Sequence, residues 1–221
     1  MDLMQAMQER HSVRAYTGQR IEDEKRKKLD DLIRECNQES GLHIQIRYDD
    51  PSGFDSKLAH YGSFRNVNNY IILAGKPCDD LPEKCGYYGE RLVLEAQAMG
   101  LNTCWAALTF HKSKVKKQIP DGEDLVLVIA IGYGAGQGSS HKSRPFESVV
   151  ETTGELPDWF RAGAQAALLA PTAVNQQKFK MRIEDGEPVI RTAGFGPYTK
   201  IDLGIVKYHF ELASGHKVRG I

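Results

Sequence analysis

Two short basic segments stand out in a chain of zero net charge: Arg10-His11-Ser12-Val13-Arg14 and Lys142-Ser143-Arg144. Arginine offers a planar fork of donors that fits phosphate bidentately, and serine adds a neutral donor for the ester oxygens. Small cationic clusters on a neutral background suit a pocket for one phosphate rather than a surface for a polyanion, which points to a phosphorylated cofactor. His11 stands where it could touch the same phosphate, although a lone histidine is as a rule structural or solvated.

The bulk numbers narrow the classes. With 221 residues and 41% apolar content, the chain can bury a substantial core as one large domain or two fused halves. Lys and Arg balance Asp and Glu at 29 each, so no global field exists to hold nucleic acid or an acidic membrane. The N-terminus is polar by Gln5 and no apolar run is long enough to span a bilayer, so the expected location is the cytoplasm. Cys36, Cys78, Cys85 and Cys104 show neither CxxC spacing nor a neighbouring His cluster, which argues against a metal site and a disulfide framework. Cys104 and Trp105 are expected in the core.

The elements that must position the basic clusters follow from periodicity. Leu3, Ala6, Met7 and Arg10 have helical spacing. A second helix from about Glu22 opens with acids, buries Leu29, Leu32, Ile33 and Cys36, and is broken at Gly41. Ile44, Ile46 and Tyr48 alternate as in a half-buried strand that runs into a turn at 49–53. Residues 70–74 read as a buried strand, Tyr87 to Met99 as a helix capped by Gly100, and Leu125 to Ile131 as an interior strand covered on both sides. A helix opened by Pro157 and a strand through Phe179, Met181 and Ile183 follow. A shift of 135 residues superposes Leu29/Leu32/Ile33 on Ala164/Ala167/Leu168 and Ile44/Ile46/Tyr48 on Phe179/Met181/Ile183. Gly89 to Gly100 aligns in the same spirit with Gly204 to Gly215. Chance register explains such matches about as well as a fused pseudo-dimer does.

RHSVRAY from Arg10, EAQAMGLNTCW from Glu95, LVLVIAIGY from Leu125 and KSRPFESVV from Lys142 together resemble the FMN-dependent nitroreductase family. Each segment alone is weak, but the ordered, correctly spaced set is specific. It covers residues 1–150, the nitroreductase-like FMN-binding half, and leaves 151–221 as a second half resembling part of a partner subunit. The resemblance implies an α+β fold with a central mixed or antiparallel sheet flanked by helices. One family element is displaced. The APSxxN-type turn, which in ordinary members follows the second helix, stands here as Ala170-Pro171-Thr172-Ala173-Val174-Asn175-Gln176-Gln177, while Cys36 to Gly41 occupies its usual place. Ordinary members are homodimers in which this turn covers the partner's flavin. The displacement therefore implies a pseudo-dimeric chain closing around one FMN, or a homodimer exchanging the segment.

The resemblance also implies roles. Arg10, Lys142 and Arg144 would meet the FMN phosphate, with Ser12 donating to the phosphate or ribityl chain. Arg14 would sit at the N1–C2=O2 edge, where negative charge develops on reduction. Asn68, or Asn69 beside it, would donate to the pyrimidine ring, and the main chain of Ala107 and Leu108 would approach N5. Pro171, Thr172 and Asn175 would pack and bond along the ring, with Gln177 a looser candidate. The implied activity is hydride transfer from NADH or NADPH to flavin and then to a flat electron-poor acceptor, nitroaromatic or quinone, in ping-pong order. A flavin-binding protein without turnover, another superfamily chemistry such as reductive dehalogenation, and a non-flavin interaction protein are the competing expectations.

Overall fold

The computed structural model describes residues 1–56, 61–152 and 154–220. Two compact units divide the chain, Met1–Leu81 with Leu92–Ser140 and Pro82–Arg91 with His141–Ile221. Unit 1 is built on four antiparallel strands, β1 (Gln45–Arg47), β2 (Tyr70–Gly75), β3 (Asn102–Ala106) and β4 (Asp124–Gly132), in the order β1-β2-β4-β3. Successive residues of a strand point to opposite faces. Tyr70, Ile72 and Ala74 accordingly join Cys104, Ala106, Val128 and Ala130 in one apolar cluster with Phe54, Phe64 and Phe110. Ile71, Leu73, Ile129 and Ile131, which alternate with them, are buried as well. Both faces of the central strands are therefore covered, as their unbroken apolar runs require.

Helix α1 (Leu3–Glu9) is capped by Asp2, whose carboxylate accepts the Gln5 N–H at 2.8 Å. Helix α2 (Asp23–Ser40) opens with two acids, buries Leu29, Ile33 and Cys36, and ends at Gly41 with φ +72°; Leu32 is only partly buried. Helix α3 (Leu81–Ala98) begins six residues before the expected Tyr87. Pro82 lies in its first turn, where a missing N–H costs nothing, and both Gly86 and Gly89 lie within it. A short α4 (Lys112–Lys116) completes unit 1. Among the described residues no helix is long and apolar enough to cross a membrane.

Unit 2 holds α5 (Asp158–Ala167), a two-stranded hairpin of β5 (Phe179–Glu184) and β6 (Glu187–Thr192), and α6 (Thr199–Ser214). The first half of α3 crosses α6 at glycines. A Cβ on Gly86 would lie 2.1 Å from Ile201 O, and one on Gly204 would lie 2.0 Å from Glu83 O. Side chains beside this crossing form a row of buried polar pairs. Lys207 Nζ meets Glu83 at 2.5 Å, Tyr87 donates to Glu211 at 2.7 Å, and His209 Nε2 faces Glu90 at 2.8 Å. Helix α5 packs on the other side, with Gly163 against the Phe210 ring and Phe160 5.5 Å from it.

The architecture is the α+β class expected, an antiparallel sheet with helices. The 135-residue shift carries α2 onto α5 and β1 onto β5, but it carries β2 onto 205–210, which is part of α6. The correspondence therefore stops at the strand. The shift that aligns Gly89 with Gly204 places both glycines inside helices α3 and α6.

Candidate functional site

The Arg10 to Arg14 segment is extended rather than helical. Helix α1 ends with Arg10 at ψ 119°, Ser12 forms a parallel bridge with Thr103 of β3, and the Val13 N–H donates to Thr103 O at 3.0 Å. Along this segment Arg10, Ser12 and Arg14 alternate with His11 and with Val13, which is buried in the core. All three act on the Cys104 thiol. Burial pushes that thiol up, while Arg14, a hydrogen bond with Ser12, and Arg10 pull it down. Burial prevails, so Cys104 is a protonated packing group rather than a nucleophile. Burial likewise pushes the Tyr16 phenol up, and its hydroxyl donates to Val13 O at 2.8 Å.

The glycine-rich loop after β4 presses on this segment. A Cβ on Gly138, itself at φ +73°, would lie 2.9 Å from His11 Cβ and 3.0 Å from Ser12 O. Asn102 pins the loop by accepting the Gly134 N–H at 3.0 Å and donating to Gln137 at 3.0 Å. Within the segment, Arg14 is exposed, His11 and Ser12 are half-buried, and Arg10 is only 4% exposed.

The two asparagines before β2 separate clearly. Asn69 is buried and its Oδ1 accepts the Asp49 N–H at 3.0 Å, which commits it to the turn. Asn68 lines a cleft of about 300 Å³ with Pro51, Phe54, Asp55, Phe64 and Asn66. Beyond β3 the chain bends away at Ala107 and Leu108, and the Leu108 side chain is 72% exposed.

Unit 2 joins the other two groups of expected residues. Gln177, 3% exposed, takes the Arg144 N–H on Oε1 at 2.8 Å and donates through Nε2 to Lys142 O at 2.9 Å. Asn175 donates to the same Lys142 carbonyl at 3.0 Å and accepts from Gln177 at 2.8 Å. Thr172 Oγ1 receives the Gln177 N–H at 3.0 Å, and Ser143 and His141 both bond Leu168 O at 3.0 Å. The backbone of 141–144 is thereby fixed to the 170–177 turn, while the Lys142 and Arg144 side chains stay exposed. Pro171 and Thr172 are half-buried beside them. Both functional groups of the Asn175 amide are engaged within the chain, so it organises the loop. Asp202 on α6, which sequence reasoning missed, accepts the Ala173 N–H at 2.9 Å and Gln176 Nε2 at 2.7 Å. Its only sequence signal is an acid in the first turn of a helix.

Among the described residues no cluster of three or more His, Cys, Asp or Glu could hold a metal ion. An antiparallel four-stranded sheet with helices is the architecture of nitroreductase-type proteins. The family described as "Putative TM nitroreductase" matches residues 2–214, and the chain belongs to it. A crystal structure described in the same terms, from Thermotoga maritima MSB8, is 25% identical, with a TM-score of 0.70 over 96% of this chain and 83% of that one. An FMN-dependent nitroreductase from Clostridium difficile R20291 shares the fold at 16% identity and TM-score 0.52, covering 63% of this chain and 91% of its own. A nitroreductase from Desulfovibrio desulfuricans solved in complex with FMN does so at 18% and 0.52, covering 70% and 99%. No curated protein matches.

Proposed function

We propose that the chain is an FMN-dependent oxidoreductase that takes electrons from NADH or NADPH and gives them to a flat electron-poor acceptor such as a nitroaromatic or a quinone. The observation that carries this reading is that Arg10, Ser12 and Arg14, on a segment bridged to Thr103, all act on the neighbouring Cys104 in a chain of this family. The donor set suits FMN, which needs cations for a phosphate of nearly two charges and a fixed cation at the ring edge. Bound FMN supplies hydride acceptance and return, so donor and acceptor use the site in turn.

Arg14, exposed and on the anchored segment, stabilises negative charge at the N1–C2=O2 edge. Ser12 donates to the phosphate or ribityl chain, with the buried Arg10 adding positive field behind it. Lys142 and Arg144, exposed on a fixed backbone, neutralise phosphate on the flavin of their own chain or a neighbour's. Asn68, in the lining of the cleft, donates to the pyrimidine edge, and the main-chain N–H groups of Ala107 and Leu108 are assigned to N5. Pro171 and Thr172 pack along the ring, and Asn175 holds the loop that carries Lys142. No side chain is assigned an acid–base or nucleophilic step, in keeping with a reaction in which the protein supplies position and electrostatics.

Anaerobic mixing of the FMN-loaded protein with NADH, and separately with NADPH, tests the proposal. Bleaching of the flavin with either one, followed by recovery on adding a quinone, is the expected result. A flavin that stays oxidised with both donors would identify a flavin-binding protein without turnover.

A further inference from the structure

Three non-glycine residues of the 172–177 turn, Val174, Asn175 and Gln177, have left-handed φ of 46°, 55° and 44°. Such backbone is strained and persists only where its surroundings over-determine it. The chain supplies one reason directly below the turn. Asp202, 6% exposed on α6, takes the Ala173 N–H on one carboxylate oxygen and Gln176 Nε2 on the other. The same Gln176 nitrogen donates to Pro197 O at 2.9 Å. A Cβ on Gly196 would lie 2.6 Å from Gln176 Oε1 and 3.0 Å from Lys178 Nζ, so the 196–197 backbone presses on that amide and sets which end faces Asp202. Lys178 in turn donates to Phe195 O at 2.7 Å. On its far side the turn holds Lys142 and Arg144 through Asn175 and Gln177.

We propose that Asp202 is the positioning residue of this site: by clamping Ala173 and Gln176 it holds the strained turn, and through the turn it holds the basic 142–144 loop in its anion-binding arrangement. The purpose of the clamp rests on the flavin reading, whereas the clamp itself does not. Burial pushes the Asp202 carboxyl up to about 6, against the bonds from Gln176 and Ala173 that pull it down. A carboxylate kept in so costly a place is consistent with a role its bonds perform. The bonds it accepts come from neutral groups, the Ala173 N–H and the Gln176 amide, and Lys178 on the adjoining strand donates to Phe195 O.

The test pairs amide hydrogen exchange of the flavin-free protein with FMN affinity, for the wild type, Asp202→Ala, Asp202→Asn and the double variant Asp202→Asn/Gln176→Glu. In Asp202→Ala, exchange at Ala173 to Gln177 and at Arg144 should quicken while the rest of unit 2 keeps its protection. FMN dissociation constants should rise on the order of tenfold, as expected for losing hydrogen bonds to a charged acceptor. Asp202→Asn sets two amide NH2 groups against each other, and adding Gln176→Glu restores the donor–acceptor pair with residue 202 while giving up the bond to Pro197 O, so the double variant should regain only part of each loss. Wild-type exchange at the turn in Asp202→Ala would overturn the proposal, as would faster exchange with unaltered FMN affinity. A wild type that binds no FMN would overturn the flavin reading alone, since exchange still decides whether Asp202 holds the turn and loop.

Discussion

Removing the Glu90 carboxylate should cost unit 2 much more than neutralising it. Glu90 and His209 are both fully buried. The His209 ring lies between two oxygens, Glu90 Oε1 at 2.8 Å from Nε2 and Ala166 O at 3.1 Å from Nδ1. A carbonyl can only accept, so Nδ1 carries a proton, and the Nε2–Glu90 line shares a second. Glu90→Ala strands Nε2 in a fully buried helix contact, and breaking a buried pair in this way costs about 3–5 kcal/mol. Glu90→Gln keeps an oxygen and can turn its NH2 towards a neutral Nε2, so one hydrogen bond survives and the cost should be about 1 kcal/mol. Urea unfolding of the three proteins, followed by circular dichroism and by fluorescence of Trp159 against that of Trp105, would read the difference. Equal destabilisation by both substitutions, or less than about 1 kcal/mol for Glu90→Ala, would refute the hydrogen-bond reasoning.

Gly204→Ala should abolish the α3–α6 crossing, because its Cβ would stand 2.0 Å from Glu83 O and 2.6 Å from Tyr87 N. The expected loss is at least about 3 kcal/mol, the upper range for overpacked cores, seen as a lowered melting temperature or insoluble expression. Asp202 makes stability depend on pH. Its folded value of about 6 lies above the ordinary carboxyl value of 3.8, so its contribution is complete below about pH 4 and is lost as pH rises through 6, worth roughly 3 kcal/mol. The stability of Asp202→Asn relative to wild type should therefore grow between pH 4 and 7, and a flat difference would contradict the burial argument. Arg14→Ala should lower the flavin reduction potential and slow reduction by NAD(P)H, whereas Arg144→Ala should mainly weaken FMN retention. Redox titration and equilibrium dialysis separate the two, and equal effects on retention alone would contradict the division of roles.

The buried strands were legible because covering both faces demands unbroken apolar runs, which 70–74 and 125–131 supply. Helix α2 was legible from its acidic start, its Leu29/Ile33/Cys36 stripe and Gly41. Strand β3 escaped notice because Gly100 ends α3 and the strand follows within two residues, so the two read as one run. The start of α3 was hidden by Gly86, whose purpose, contact with α6, lies more than a hundred residues away in sequence. The same distance hid the conformation of Arg10 to Arg14. A basic run after a helix looks like a helix end, and only pairing with Thr103 draws it out as an extended edge. The candidate residues were found through family resemblance, Gln177 only as a looser member of its turn, and Asp202, which holds that turn, carried no signal beyond an acid in the first turn of a helix. Their partners, Arg144 and Ala173, are set by tertiary structure.

FMN binding is read from the absorption spectrum of the purified chain after incubation with FMN and removal of free flavin. A yellow protein with bound flavin at one FMN per chain is the expected result. A colourless protein would contradict it outright, and two flavins per chain would contradict the reading of the 170–177 turn as the stand-in for a second subunit.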